Sequence, residues 1–331
     1  MQKIGVYSAK PYDRSFLKAA GEGHHLEFHF FEDSLSENML STLEDFQIIC
    51  LFVNDLVNRS IIEKLADHNV KLIALRCAGF NNVDLRAAAE HDIKIVRVPA
   101  YSPFAVAEHT LAMIMTLNRK THRAYNRVRE SNFSLNGLMG FDLNGKTVGI
   151  IGTGKIGEIF CKIMQGLNCK VIAYDPFPNR ELEKTGVKYQ TLEELFKESD
   201  IISLQCPLTE KTKHLINTDT IGIMKEGVML INTSRGGLIH TEALIRGLKS
   251  RKIGYLGIDV YEQEENLFFH DLSDQIIEDD LIMRLITFPN VLITSHQAFF
   301  TKNAMDNIAK TTVMNIRQFI AGAELENEVK V

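Results

Sequence analysis

Short apolar runs alternate with helix-length segments from one end of the chain to the other. One set falls at 3–8, 26–31, 46–53, 71–77 and 94–99; a second falls at 147–152, 170–175, 200–206, 228–234, 255–260 and 290–296. Several are continuous in β-branched and apolar residues, without in–out alternation, which suits strands covered on both faces of a parallel sheet. Strand–helix alternation of this kind builds βαβ units and doubly wound sheets. The pattern predicts a long helix over 103–130, with Ser102 as N-cap and Pro103 in the first turn. It predicts a glycine-bearing loop over 136–146 and a last helix over 301–325. That last helix is expected to return to the first domain, so that 1–100 and 300–331 form one domain and 101–299 an inserted second one.

The length agrees with two domains: 331 residues is about twice a typical ~150-residue unit. A content of 45% hydrophobic and 24% charged residues excludes a disordered, collagen-like or rod-like chain. The net charge of -5 argues against nucleic acid as the main partner. No apolar run approaches the ~20 residues that span a bilayer, and residues 1–10 do not read as a secretory leader. Five cysteines fit neither a disulfide framework nor a zinc site. A reduced, cytoplasmic protein without a metal is expected.

The strand at 147–152 runs into Gly152, Thr153, Gly154, Lys155, Ile156 and Gly157, then into a helical pattern. This is G-x-G-x-x-G in the context that gives it meaning. The first glycine allows the tight turn, the second lets backbone approach a pyrophosphate, and the third lets helix and strand pack closely. The free N–H groups and positive dipole end of the helix suit phosphate. The next strand ends in Asp175, 23 residues beyond Gly152, where the fingerprint expects an acid for the ribose hydroxyls. An anion there repels a 2′-phosphate, so the expected cofactor is NAD rather than NADP.

Ligands of open α/β sheets bind beyond the carboxyl ends of the strands. Arg235 follows the run at 228–234, the acids Glu262, Glu264 and Glu265 follow 255–260, and His296 ends 290–296. Histidine can protonate a developing alkoxide near neutral pH, and a carboxylate beside it favours and orients the imidazolium. A guanidinium fork can bind a carboxylate and polarise the adjacent carbonyl. The set fits reduction of a 2-oxo acid. Spacing alone does not select one of the three acids, and their stretch, rich in carboxylates, also reads as a solvated loop.

With Leu75-Arg-Cys-Ala-Gly-Phe-Asn-Asn-Val-Asp84, Val98-Pro-Ala-Tyr101, Ala105-Val-Ala-Glu-His109, Cys206-Pro-Leu-Thr209, Asn232-Thr-Ser-Arg-Gly236, Gly257-Ile-Asp-Val-Tyr261 and Ser295-His-Gln-Ala298 added, the chain resembles the NAD-dependent D-2-hydroxyacid dehydrogenases over its whole length. The resemblance implies two Rossmann/flavodoxin-like α/β domains of doubly wound parallel sheet, the discontinuous one for substrate and the inserted one for NAD, with an active-site cleft between them. It implies Arg235 on the substrate carboxylate and carbonyl, His296 as acid/base, and Glu264 as its partner. Backbone amides of Cys77, Ala78 and Gly79 would take the carboxylate. Asp259 would lie near the nicotinamide carboxamide, and Cys206, Pro207, Thr233 and Ser234 would line the cofactor. Tyr101 and Phe299, with Phe52 a weaker candidate, would border the substrate side chain and leave room for a methyl, which favours pyruvate and D-lactate. The 103–130 helix would serve a homodimer or a dimer of dimers.

Other readings are weaker. The alternatives are a hydroxyisocaproate- or hydroxypyruvate-type dehydrogenase, or a non-enzymatic NAD(H)-sensing corepressor-like protein. The basic run Arg119, Lys120, Arg123, Arg127 and Arg129 reads as a solvated helix face or an interface. His24, His25 and His29 lack the acids or thiols of a metal site.

Overall fold

The computed structural model describes residues 1–264 and 267–330. The chain divides into two units, one of Met1–Ser102 and Phe300–Val331, the other of Pro103–Phe299. In the first, β1 (Gln2–Val6), β2 (Leu26–Phe30), β3 (Ile48–Leu51), β4 (Leu72–Leu75) and β5 (Lys94–Val96) pair in parallel in the order β2-β1-β3-β4-β5. Successive residues enter opposite cores. Ile49, Leu51, Ile73 and Leu75 join one cluster. Ile48, Cys50, Leu72 and Ala74 join another, with Ala309, Val313 and Ile316 of the Lys302–Ile320 helix. Two buried faces require apolar residues at every position, which is why these runs do not alternate.

The second unit holds β6 (Thr147–Ile151), β7 (Lys170–Tyr174), β8 (Lys188–Tyr189), β9 (Ile201–Leu204), β10 (Val228–Asn232), β11 (Ile253–Ile258) and β12 (Val291–Ile293). All pair in parallel, in the order β12-β11-β10-β9-β6-β7-β8. The same split recurs: Met229 and Ile231 enter one core, Val228 and Leu230 the other. Chain order reverses direction at β6, which puts the glycine loop at a topological switch point.

Three elements differ from the pattern. The helix expected over 103–130 is two helices, Pro103–Arg119 and Thr121–Arg129, broken at Lys120 with φ +50°. The buried stripe ends at Leu117 and Asn118, and no residue of the second helix is fully buried. The Lys120 ammonium donates to the Gly137 and Met139 carbonyls, tying the break to the next loop. The last helix stops at Ile320, before Gly322 at φ +62°; the tail then pairs Glu328 antiparallel with Val96. Strand β8, two residues at the sheet edge, carries too short a pattern to be read from sequence.

Among the described residues, Arg76, Asp13 and Asp55 are charged groups buried inside the first unit. Arg76, 1% exposed, directs Nε at Asp13 Oδ1 (3.3 Å) and donates from Nη2 to the Ser8 carbonyl (2.7 Å). A buried guanidinium stripped of its carboxylate is expensive. Asp13→Ala is expected to lower unfolding free energy by about 3 kcal/mol, read as a shift of the urea midpoint at constant slope; a shift worth under ~0.5 kcal/mol contradicts the assignment.

Candidate active site

Strands β10, β11 and β12 are neighbours, so residues just past them gather at one sheet end. His296 lies three residues beyond Ile293 and Glu264 six beyond Ile258. The structure brings these two together: His296 Nδ1 is 2.8 Å from Glu264 Oε1. A carboxylate only accepts, so Nδ1 carries the hydrogen and Nε2 is left for other work. Glu264 Oε2 is fixed by the Tyr261 amide at 2.7 Å. The side chains are 18% and 23% exposed, and the Phe269 ring lies 5.7 Å from the imidazole. Glu262 faces elsewhere. It accepts from the Thr241 amide and hydroxyl and meets His214 Nε2 at 2.6 Å. Burial raises its carboxyl pKa, but those hydrogen bonds outweigh it and hold the group low. Glu265 lies outside the described residues.

His296 has φ +49°, in the left-handed region that costs an L-residue about 1–2 kcal/mol. The turn is held from beneath. Asp259, fully buried one residue past β11, accepts from the Gln297 amide (2.9 Å), the Ala298 amide (2.8 Å) and the Thr294 hydroxyl, while its own carbonyl accepts the His296 amide (2.7 Å). His109 Nε2 reaches Thr294 Oγ1 at 3.1 Å and Asp259 Oδ1 at 3.5 Å. Burial raises the Asp259 pKa, but the bonds from His109, Thr294 and Ala298 overcome it and keep the carboxyl below its usual range. Sequence reasoning gave His109 and Thr294 no role. Their signal was the Ala105–His109 motif and the threonine two places before His296, which acquire meaning once β12 brings them to Asp259.

Arg235 sits three residues past β10. Among the described residues its guanidinium pairs with no carboxylate and donates to the Ser234 carbonyl at 2.7 Å. Asn232 holds the Arg235 carbonyl (2.8 Å) and the Ser234 amide (3.0 Å). A Cβ at Gly236 would lie 2.0 Å from the Tyr261 carbonyl oxygen, so the loop after β10 touches the loop after β11 and needs glycine there. Ser234 Oγ donates to the Cys206 carbonyl (2.9 Å), and Thr233 meets Thr110 (2.8 Å). Burial pushes the Cys206 thiol up to about 11, so it is an uncharged wall. The Pro207 carbonyl accepts from Thr212.

The glycine loop fits a dinucleotide. Gly152 has φ +98°, and a Cβ at Gly157 would stand 2.0 Å from the Gly152 carbonyl oxygen. Gly154 has open space, and the Lys155–Gly166 helix starts without a side-chain cap, leaving its N–H groups to an anion. Lys155 is exposed and Ile156 half-buried beside it. Asp175 Oδ2 accepts from the Thr153 amide (2.7 Å) and hydroxyl (3.1 Å), so the acid ending β7 is tied to the loop. Tyr189 of β8, another residue missed from sequence, donates to Thr153 Oγ1 at 2.8 Å.

In the first unit, the loop after β4 has its carbonyls occupied. Cys77 O accepts from the Val98 amide (3.1 Å), Ala78 O from Arg97 Nη1 (2.8 Å), and Gly79 O from Cys77 Sγ (3.2 Å). Among the described residues the Ala78 and Gly79 amides meet no acceptor. The Tyr101 carbonyl takes Asn307 Nδ2, Phe299 is buried at the end of the second unit, and Phe52 lies under the Arg76 guanidinium. Among the described residues no group of His, Cys, Asp or Glu could hold a metal ion.

Comparison with known proteins gives this arrangement its class. Residues 111–298 match the family "D-isomer specific 2-hydroxyacid dehydrogenase, NAD binding domain". A "2-hydroxyacid dehydrogenase homolog" of Haemophilus influenzae is 51% identical over 327 residues, covering 99% of both chains. The "D-lactate dehydrogenase" of Escherichia coli is 50% identical over 327 residues, again 99% of both. A solved structure described as the pyruvate reductase of Chlamydomonas reinhardtii superposes with a TM-score of 0.94 at 44% identity, covering 99% of this chain and 98% of that one. The chain belongs to the D-2-hydroxyacid dehydrogenases and is an NAD-dependent oxidoreductase.

Asp259→Asn keeps the shape but turns an amide –NH2 toward donors that need acceptors. It is expected to cost about 2–3 kcal/mol of stability and about 100-fold in kcat, as the His296 turn loosens. Thermal unfolding and steady-state kinetics read both; a variant matching wild type in kcat would show that the turn holds without the charge.

Proposed function

We propose that the chain reduces pyruvate to D-lactate with NADH, reversibly. The observation that carries this is the 2.8 Å His296–Glu264 pair set beyond β12, beside the strand end that carries Arg235. Bound NAD supplies or takes up the hydride. The chain does the rest. The Arg235 fork binds the substrate carboxylate and draws density from the carbonyl. His296 Nε2 gives its proton to the carbonyl oxygen, and Glu264 holds the ring and stabilises its charged form. The Ala78 and Gly79 amides, with Cys77, take the carboxylate in the first unit, which we assign as the substrate domain, residues 1–100 and 300–331. Residues 101–299 form the NAD domain: Gly152 to Gly157 cradle the pyrophosphate, Asp175 the ribose, and Cys206, Pro207, Thr233, Ser234 and Asp259 border the ring.

Tyr101 and Phe299 restrict the substrate side chain to about a methyl. A hydrophobic wall discriminates a methylene by only ~1–3 kcal/mol, so 2-oxobutyrate is a slower substrate. Five free, buried cysteines fit a reducing cytoplasm, and among the described residues no helix is long and apolar enough to cross a membrane. Exposed Tyr125, Val128, Phe133, Leu135 and Met139, close together in sequence, suit burial against a second copy of the chain.

The test is a panel of 2-oxo acids with NADH, with chiral analysis of the product. Pyruvate is expected to have the highest kcat/KM and to yield the D isomer; preference for a branched acid or formation of the L isomer rejects the reading. Reduction needs His296 protonated and oxidation needs it neutral. Pyruvate reduction therefore falls as pH rises, and D-lactate oxidation falls as pH drops; flat profiles in both directions remove His296 from the role. Arg235→Lys replaces a fork with a point charge and is expected to lower kcat/KM about 100-fold or more through both constants, measured on pyruvate. Near-full activity would exclude two-point binding.

A further inference from the structure

We propose that Arg97, seated by the C-terminal tail, is a positioning residue that aims the carboxylate-binding amides of loop 77–79. This rests on the reading of that loop given under Proposed function. A peptide plane is rigid and its C=O and N–H point opposite ways. Whatever fixes the Cys77 carbonyl therefore fixes the Ala78 amide in the reverse direction, and whatever fixes the Ala78 carbonyl fixes the Gly79 amide. Both anchors come from the two residues after β5: the Val98 amide holds the Cys77 carbonyl at 3.1 Å, and Arg97 Nη1 holds the Ala78 carbonyl at 2.8 Å. The two amides they aim are the ones without an acceptor among the described residues.

Arg97 is itself held on three sides. Its guanidinium carbon lies 5.0 Å from the centre of the Phe80 ring. Its amide donates to the Asn327 carbonyl (3.1 Å), and its carbonyl accepts from Asn315 Nδ2 (2.9 Å). Asn327 Nδ2 in turn donates to Asn315 Oδ1 (2.8 Å), and Asn315 is 1% exposed. The tail continues alongside β5, with the Val329 amide on the Ile95 carbonyl (2.8 Å) and Glu328 on Lys94 (3.0 Å). The last residues of the chain therefore set the orientation of amides near residue 78. A charge-assisted bond to a carbonyl is stronger than a neutral one, which suits a loop whose free donors would otherwise let it turn.

Pyruvate and NADH kinetics on the full-length protein, with thermal unfolding alongside, test this. Arg97→Met is expected to raise the pyruvate KM about tenfold while NADH KM, kcat and melting temperature stay close to wild type. Arg97→Lys recovers part of the loss. Asn327→Ala, remote from loop 77–79, raises the pyruvate KM in the same direction by a smaller factor. A pyruvate KM within about twofold of wild type in Arg97→Met, or an equal rise in NADH KM, overturns the proposal. Should Arg97→Met fail to fold, unchanged pyruvate KM in both Arg97→Lys and Asn327→Ala overturns it equally. A wild-type protein that reduces no 2-oxo acid instead overturns the reading of the loop, and this inference with it.

Discussion

The turn that carries His296 depends on one buried carboxylate. Asp259 is fully buried and accepts from the amides of Gln297 and Ala298, and so holds His296 in a left-handed backbone conformation. The cost of burying that charge is offset by four donors that converge on it, counting Thr294 and His109. The imidazole then meets Glu264 on one nitrogen and the Phe269 ring beside it. The carboxylate beneath the His296 turn and the carboxylate on its imidazole are separate groups on one loop, five positions apart.

Much of this was legible beforehand, for a physical reason. Strands with two buried faces have no choice at any position, so continuous apolar runs mark them clearly. The glycine loop is equally constrained, since the close approach at Gly157 admits no side chain. Freedom is what hides structure. Strand β8 is two residues at an edge, and the break at Lys120 comes where the Thr121–Arg129 helix no longer has a core to face.

The site divides in the same way. Arg235 and His296 follow their strands so closely that strand ends locate them. Choosing among Glu262, Glu264 and Glu265 was beyond spacing, and rested on resemblance. The loop register depends on the Tyr261 amide donating to Glu264 within the loop, and on His214 and Thr241, from other parts of the chain, holding Glu262. His109 was invisible as chemistry because it acts on Asp259, far away in sequence.

The contact between Gly236 and the Tyr261 carbonyl carries a consequence for how such an enzyme can diversify. The loops bearing Arg235 and Glu264 interlock with no space for even a methyl, so neither drifts without the other. Variation is least costly away from that seam, where side chains are not locked against a neighbouring backbone. Reaction type is thereby inherited almost intact, while the acid it acts on is left open to selection.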